Sequence, residues 1–157
     1  GEALTRALQA AAARFARAGV PVRLVADVRP ELWMKLLLNC AYNAASALTQ
    51  APYERMARLA PVRELQLAVA REVVAVARAE GIALALDEAV ADIERIAATM
   101  PTQRSSTAQD LARARPTEID HLNGFVVRRG AAMGVATPVN QALHALVKLA
   151  EAGHPGA

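Results

Sequence analysis

Along most of the chain, apolar residues recur every three to four positions with polar residues between them, the rhythm of packed helices. The densest run is 31–48, ELWMKLLLNCAYNAASAL, which is too long for a buried strand and predicts a helix. At about 100° per residue, Lys35, Asn39 and Asn43 share one face, the second and third drifting by roughly 40° each, and Ser46 returns to that face. Trp33, Met34, Leu36, Leu37, Leu38, Cys40 and Ala41 cover most of the rest. The helix is therefore mostly apolar, with one narrow polar stripe holding a single lysine, whereas a surface helix carries more charge on its polar side.

The stripe has two readings. As a partly exposed edge, it lets Lys35 snorkel to water while the asparagines bond neighbouring helices. As a site, it turns Lys35 toward a semi-enclosed pocket, to protonate or polarise a carbonyl oxygen, with the amides orienting a polar substrate. The stripe alone leaves both open.

Leu4 to Ala18 predicts an amphipathic helix stopped by Gly19, and Val20 to Val25 (VPVRLV) predicts a short strand. That strand has no partner in the sequence: either its partners lie on other chain, or it is only an extended segment. Pro30 is well placed just before the central helix. Thr49 to Ala60 reads as a break around Pro52, with room for one helical turn. Pro61 opens a long helix that Gly81 ends as a C′ residue, with Ile82 making the following hydrophobic contact. Asp87 is expected to cap a helix from Glu88 to Ala98, which Met100-Pro101 ends. Ser106 with Gln109 has capping-box spacing, for a helix to about Arg115. Pro116-Thr117 opens a helix running to Gly134, with Asp120 completing a capping box and Glu118 in the first turn, where the macrodipole favours an acid. Thr137 as N-cap and Pro138 at N1 open the last helix, and the tail GHPGA is expected to fray. The expected fold is all-α: a bundle of six or seven helices, preceded by a helix and an orphan strand as an α/β domain would end.

A length of 157 residues suits one domain with a sizeable core. Hydrophobic content is 54% but aromatics are only 3%, so small side chains fill the core and let helices approach closely. The single cysteine, Cys40, excludes an internal disulfide framework and fits a reducing cytosol; its leucine neighbours mark it as structural. No run of eighteen apolar residues predicts a membrane span, and the N-terminus lacks the order of a signal peptide. The net charge of +3 comes from scattered arginines with no block of like charge, so neither nucleic acid nor membrane is an expected partner. Arg128 to Lys148 could be mistaken for a helix-turn-helix, but its second helix begins with few residues able to read bases.

His121, His144 and His154 are far apart and pair with no cysteine, so no metal site is expected; they read as surface or helix-flank residues. There is no nucleophile elbow and no glycine-rich phosphate loop. Ser106 reads first as an N-cap whose hydroxyl could also meet an anion.

Two segments, WMKLLLNCAYNAASAL and RSSTAQDLARARPTEIDHLNGFVVRRGAAMGVATPVN, resemble the C-terminal domain of ketopantoate reductase (2-dehydropantoate 2-reductase). The motif residues are Trp33, Lys35, Asn39 and Asn43 in the first, and Ser105, Ser106, Gln109, Asp110, Thr117, Glu118, Ile119, Asp120, Asn123 and Gly124 in the second. The resemblance implies an all-helical domain of the 6-phosphogluconate dehydrogenase C-terminal type over 28–157, with 1–27 as the tail end of a dinucleotide-binding domain or a linker. It implies NADPH-dependent reduction of 2-dehydropantoate to pantoate, a cytoplasmic step toward pantothenate and coenzyme A, in a homodimer joined through the helical domain. Lys35 matches the family's general acid, Glu118 the acidic residue at the catalytic cleft, and Asn39, Asn43 and Ser106 the substrate contacts. Lys35 and Glu118 are also the expected contacts of this half with the cofactor, most of which belongs to the nucleotide-binding half. The fragment alone is expected to be inactive.

The chemistry agrees with the stripe. Hydride arriving at a ketone carbon builds negative charge on oxygen, which an ammonium stabilises and then protonates. Partial desolvation would shift the lysine toward working pH, with Glu118 countering it. Two positions depart from the family pattern: Gln103 where asparagine is often found, and Tyr53 where an amide would be expected. The rival readings are a related reductase of another oxo acid, and a helical dimerisation module that keeps the stripe only for packing.

Overall fold

The apolar run forms the helix on which the others pack. The computed structural model describes residues 2–153, and in it this helix, α2, spans Arg29–Thr49, with Pro30 in its first turn. Around it lie α1 (Glu2–Arg17), α3 (Tyr53–Arg58), α4 (Ala60–Ala79), α5 (Leu86–Thr99), α6 (Ser106–Ala112), α7 (Asn123–Met133) and α8 (Pro138–Ala152), with a 3-10 turn at Ile119–His121. Among the described residues seven helices follow α1, within the six or seven expected, and α3 is the short helical turn allowed for around Pro52. The fraying expected of the tail, and His154, fall outside the described residues.

α2 packs against α4, α5, α6 and α8. Leu37, Cys40, Ala41, Tyr42 and Ala44 are buried along it in one cluster with Val69, Ala70, Val73 and Val76 on α4, while Ala47 packs with Ala108 and Leu111 of α6. Valine and alanine make up most of this core, and four of its aromatic side chains pair. Tyr42 and Tyr53 lie 4.5 Å apart and Trp33 and Phe125 5.9 Å, both tilted. The Tyr42 hydroxyl donates to the Ile93 carbonyl at 2.6 Å, joining α2 to α5. Burial also pushes the Tyr42 and Tyr53 hydroxyls above their ordinary pKa.

The helix stops are the sequence's strongest punctuation. Gly81 sits at φ +75°, Gly81 N–H donates to Arg78 O at 3.0 Å and Ile82 N–H to Ala77 O at 2.9 Å, with Ile82 buried behind them. Gly134 ends α7 at φ +69°.

Several expectations are corrected. Among the described residues there is no strand: Val20 to Val25 is exposed, irregular chain, because a strand needs a neighbour to take its hydrogen bonds. Asp87 is not the cap of α5; the helix already begins at Leu86, and Asp87 lies in its first turn, where the dipole favours it. α6 ends at Ala112, short of Arg115. The helix expected from Thr117 to Gly134 is broken at Leu122 (ψ −106°), leaving a 3-10 turn and then α7. Thr137 precedes α8 but makes no side-chain cap bond.

Candidate active site

The polar stripe of α2 grades from water into the core. Lys35 is exposed, Asn39 half-buried, Asn43 5% exposed and Ser46 fully buried. The two inner residues anchor the chain ahead of α6. Ser46 Oγ donates to Ala51 O at 3.0 Å and accepts from Ser105 N–H at 3.3 Å. Ser105 Oγ then donates to Asn43 O at 3.3 Å and accepts from Ala108 N–H at 3.0 Å.

Ser105, not Ser106, is therefore the N-cap of α6. A one-residue shift has a chemical consequence: the buried serine holds the helix, and Ser106 is exposed in its first turn with no capping duty. The expected capping box is absent, because Ala108 stands three residues after the true cap.

Glu118 lies at the start of the 3-10 turn, exposed, beside fully buried Ile119. The turn is fixed to α2 through α7. Asn123 Nδ2, at the first residue of α7, lies 3.4 Å from Cys40 O and donates to Asn140 Oδ1 at 3.0 Å. Phe125 meets Trp33, two residues ahead of Lys35. So α6 and α7, which begin near Ser106 and Glu118, are both attached to the helix that carries Lys35, Asn39 and Asn43.

Three further details bear on the chemistry. Lys35 is exposed in this chain, as the open-edge reading of the stripe has it, and does not show the partial desolvation of the semi-enclosed reading. Cys40 is fully buried and burial pushes its thiol well above the ordinary range, so it carries no reactive thiolate. The two departures from the family pattern are neighbours: Tyr53 N–H donates to Gln103 O at 3.0 Å, and the Tyr53 ring is buried against Tyr42, next to Asn43.

Sequence reasoning missed several contributors. Asp120 does not cap Thr117; its carboxylate meets His144 Nε2 at 2.6 Å and Lys148 Nζ at 3.1 Å. Those contacts hold the Asp120 carboxyl below its ordinary pKa, His144 contributing most and Lys148 next. His144 is thus not a plain helix-flank residue. Glu151 Oε1 accepts from Thr117 N–H at 2.7 Å and Glu151 Oε2 meets Lys148 at 2.7 Å. Burial pushes the Glu151 carboxyl up, but Lys148 and Thr117 outweigh it and leave it low, while Glu151 and then Asp120 raise the Lys148 ammonium. The one available signal was the spacing of His144, Lys148 and Glu151 along one face of α8.

For a nicotinamide cofactor, the described residues supply no parallel sheet and no glycine-rich turn to cradle a pyrophosphate. On the candidate segments, Lys35 is an exposed cation and Glu118 an exposed carboxylate.

The family model described as ketopantoate reductase PanE/ApbA C terminal matches residues 27–151. The 2-dehydropantoate 2-reductase of Pyrobaculum aerophilum is 43% identical over 148 residues, 94% of this chain and 53% of that protein. A PanE/ApbA family ketopantoate reductase from Ralstonia eutropha JMP134 superposes with a TM-score of 0.86 at 56% identity, covering 92% of this chain and 48% of that one. A D-mandelate dehydrogenase solved with NADH and anilino(oxo)acetate superposes with a TM-score of 0.90 at 25% identity, covering 97% and 50%. The chain thus spans about half the length of the curated relatives it matches. With its helical fold, its graded stripe on α2 and these likenesses, the chain belongs to the ketopantoate reductase C-terminal family.

Proposed function

We propose that this chain is the substrate-binding and catalytic half of an NADPH-dependent reductase that converts 2-dehydropantoate to pantoate in the cytosol, in the route to pantothenate. The observation that carries the reading is the stripe on α2: an exposed ammonium, a half-buried amide and a buried amide in order on one face, with the exposed Ser106 and Glu118 on segments tied to the same helix.

When bound, the nicotinamide supplies a hydride to the ketone carbon. Lys35 stabilises the charge growing on the ketone oxygen and gives that oxygen a proton from Nζ. Its exposure lets solvent restore the proton. Asn39 and Asn43 orient the hydroxyl and carboxylate, since an amide both donates and accepts without adding charge. Ser106 offers an exposed hydroxyl and Glu118 an exposed carboxylate from segments tied to the same helix.

Residues 1–27 belong, in this reading, to the dinucleotide-binding half. In support, among the described residues α1 packs no extensive face against the helices after it, and Leu8, Phe15, Val20, Val22 and Leu24 are about half exposed. A homodimer through the helical half is part of the same reading, and Leu146 and Leu149, exposed on α8, support it.

The test is NADPH oxidation by the full-length protein with 2-dehydropantoate and a panel of other oxo acids, with NADH as comparison and this fragment as control. Turnover on 2-dehydropantoate well above the rest, lost in the fragment and in Lys35→Ala, supports the proposal. Unchanged turnover in Lys35→Ala removes the role of Lys35. A second reading, reduction of another 2-oxo acid, is favoured by the close superposition on D-mandelate dehydrogenase; preference for an aryl 2-oxo acid would select it.

A further inference from the structure

Three side chains on one face of α8 reach the short segment that carries Glu118. His144, Lys148 and Glu151 stand at i, i+4 and i+7. His144 and Lys148 both meet the Asp120 carboxylate, at 2.6 and 3.1 Å. Lys148 also meets Glu151 at 2.7 Å, and the other Glu151 oxygen accepts from Thr117 N–H at 2.7 Å. Within the segment, Thr117 Oγ1 accepts from Ile119 N–H at 3.2 Å, and from α7 the Arg128 guanidinium donates to Asp120 O at 2.8 Å. Thr117 and Asp120 flank Glu118 and Ile119, so the segment is held at both ends, and Ile119 is buried beneath it.

Gly124 makes room for this arrangement. A Cβ there would lie 2.8 Å from His144 Nε2 and 2.9 Å from its Cδ2, so any side chain at 124 would push the ring off Asp120. This is a reason for the asparagine–glycine pair that opens α7, beyond the tie that Asn123 makes. Ion pairs as exposed as Lys148–Asp120 add little to stability. What two fixed points across four residues do is restrict the backbone that presents the Glu118 carboxylate.

We infer that His144, Lys148 and Glu151 form a positioning row for Glu118, acting by pinning Thr117 and Asp120 rather than by touching substrate. The inference rests on Glu118 having the role proposed above. It makes Asp120, Gly124 and the α8 row contributors to turnover through the backbone that carries Glu118.

The experiment is a double-mutant cycle in the full-length protein with NADPH and 2-dehydropantoate, paired with amide hydrogen exchange. Asp120→Asn is expected to lower kcat about tenfold, the scale of a small misplacement of a reacting group, and to change KM less than twofold. In the Glu118→Gln background the same substitution is expected to cost less than twofold further. Lys148→Met, which leaves the carboxylate in place, is expected to show the same pattern with a smaller loss. In Asp120→Asn, the Thr117 and Ile119 amides are expected to exchange about tenfold faster while the α2 and α4 amides hold.

Equal losses in both backgrounds would reduce the row to general scaffolding and overturn the inference, as would unaltered kcat once amide protection is lost. The two readings fail separately. Glu118→Gln with wild-type turnover removes the role of Glu118 and the inference with it. A large Glu118→Gln loss beside normal turnover and normal exchange in Asp120→Asn removes only the positioning row.

Discussion

Glu72 on α4 closes the N-terminus of α8 around Asn140. Its carboxylate accepts from Val139 N–H and Asn140 N–H, both at 2.9 Å, and from Asn140 Nδ2 at 2.7 Å. It does from another helix what Thr137 does not do locally. Glu72→Ala leaves two backbone donors and the Asn140 Nδ2 donor without their acceptor and is expected to cost about 2 kcal/mol, lowering Tm by roughly 4–8 °C. Glu72→Gln keeps an acceptor and is expected to lose about half of that. Thermal melts of the two variants beside the parent check the order.

Gly130 is required by space, in the last turns of α7. A Cβ there would lie 2.7 Å from Val135 O and 2.8 Å from Thr137 Cγ2, and the carbonyl belongs to backbone that cannot swing aside. Gly130→Ala should therefore destabilise by about 1–3 kcal/mol despite alanine's better helix propensity. A rise in the urea midpoint would show that the α7–α8 turn can move.

Ala114, just past the Arg113 C-cap of α6, sits at φ +52°, with Arg115 N–H donating to Asp110 O at 2.9 Å. That is a glycine's position occupied by alanine. Ala114→Gly is expected to raise stability by about 0.5–1 kcal/mol, the left-handed strain relieved outweighing the added freedom of the unfolded chain. Gln50, at φ 54°, is the control: its amide lies 2.9 Å from Ala47 O and 3.1 Å from Ala108 O, so Gln50→Gly should bring no such gain. Chemical denaturation of both variants tests the contrast.

The acid limb of stability should respond to Asp120 and Glu151. Both carboxyls are held below their ordinary values in the folded chain, so what they contribute is complete above the ordinary carboxylate range and is lost as pH falls through the lowered folded values. Lys148 is shifted up, so its share is present at neutral pH and lost only as pH rises past its raised value. Melts of the parent and of Asp120→Asn are expected to converge toward pH 3 and to differ most near neutrality. Parallel curves across that range would contradict the assignment.

Legibility from sequence followed the range of the interactions. α2, α4 and α8 were readable because periodicity and their proline or glycine punctuation are local. The choice between Ser105 and Ser106 was not local: Asn43 O and Ser46 Oγ, about sixty residues away in sequence, decide it. Val20 to Val25 had a strand's composition, but composition carries no information about whether a neighbour is present. Glu72 looked like one more charge on a helix, and its partners are 67 and 68 residues away. Of the candidate site, the stripe is visible as a pattern and Ser106 as a helix-end hydroxyl open to an anion, while the catalytic role of Glu118 enters only through the resemblance, because nothing within a few residues marks it as more than a helix-end residue.

The anchoring of α6 and α7 on α2 turns that helix into a ruler. Asn123 attaches at the Cys40 carbonyl and Ser105 at the Asn43 carbonyl, two marks three residues apart, or about 4.5 Å along the axis. Lys35 is read off the same scale, five and eight residues before them. One residue inserted between Lys35 and Cys40 would advance the scale by about 1.5 Å and turn it by about 100°, sending the ammonium round the helix while both marks stay engaged. The phase of this stretch is as much a part of the site as its side chains, and its length is not free to vary.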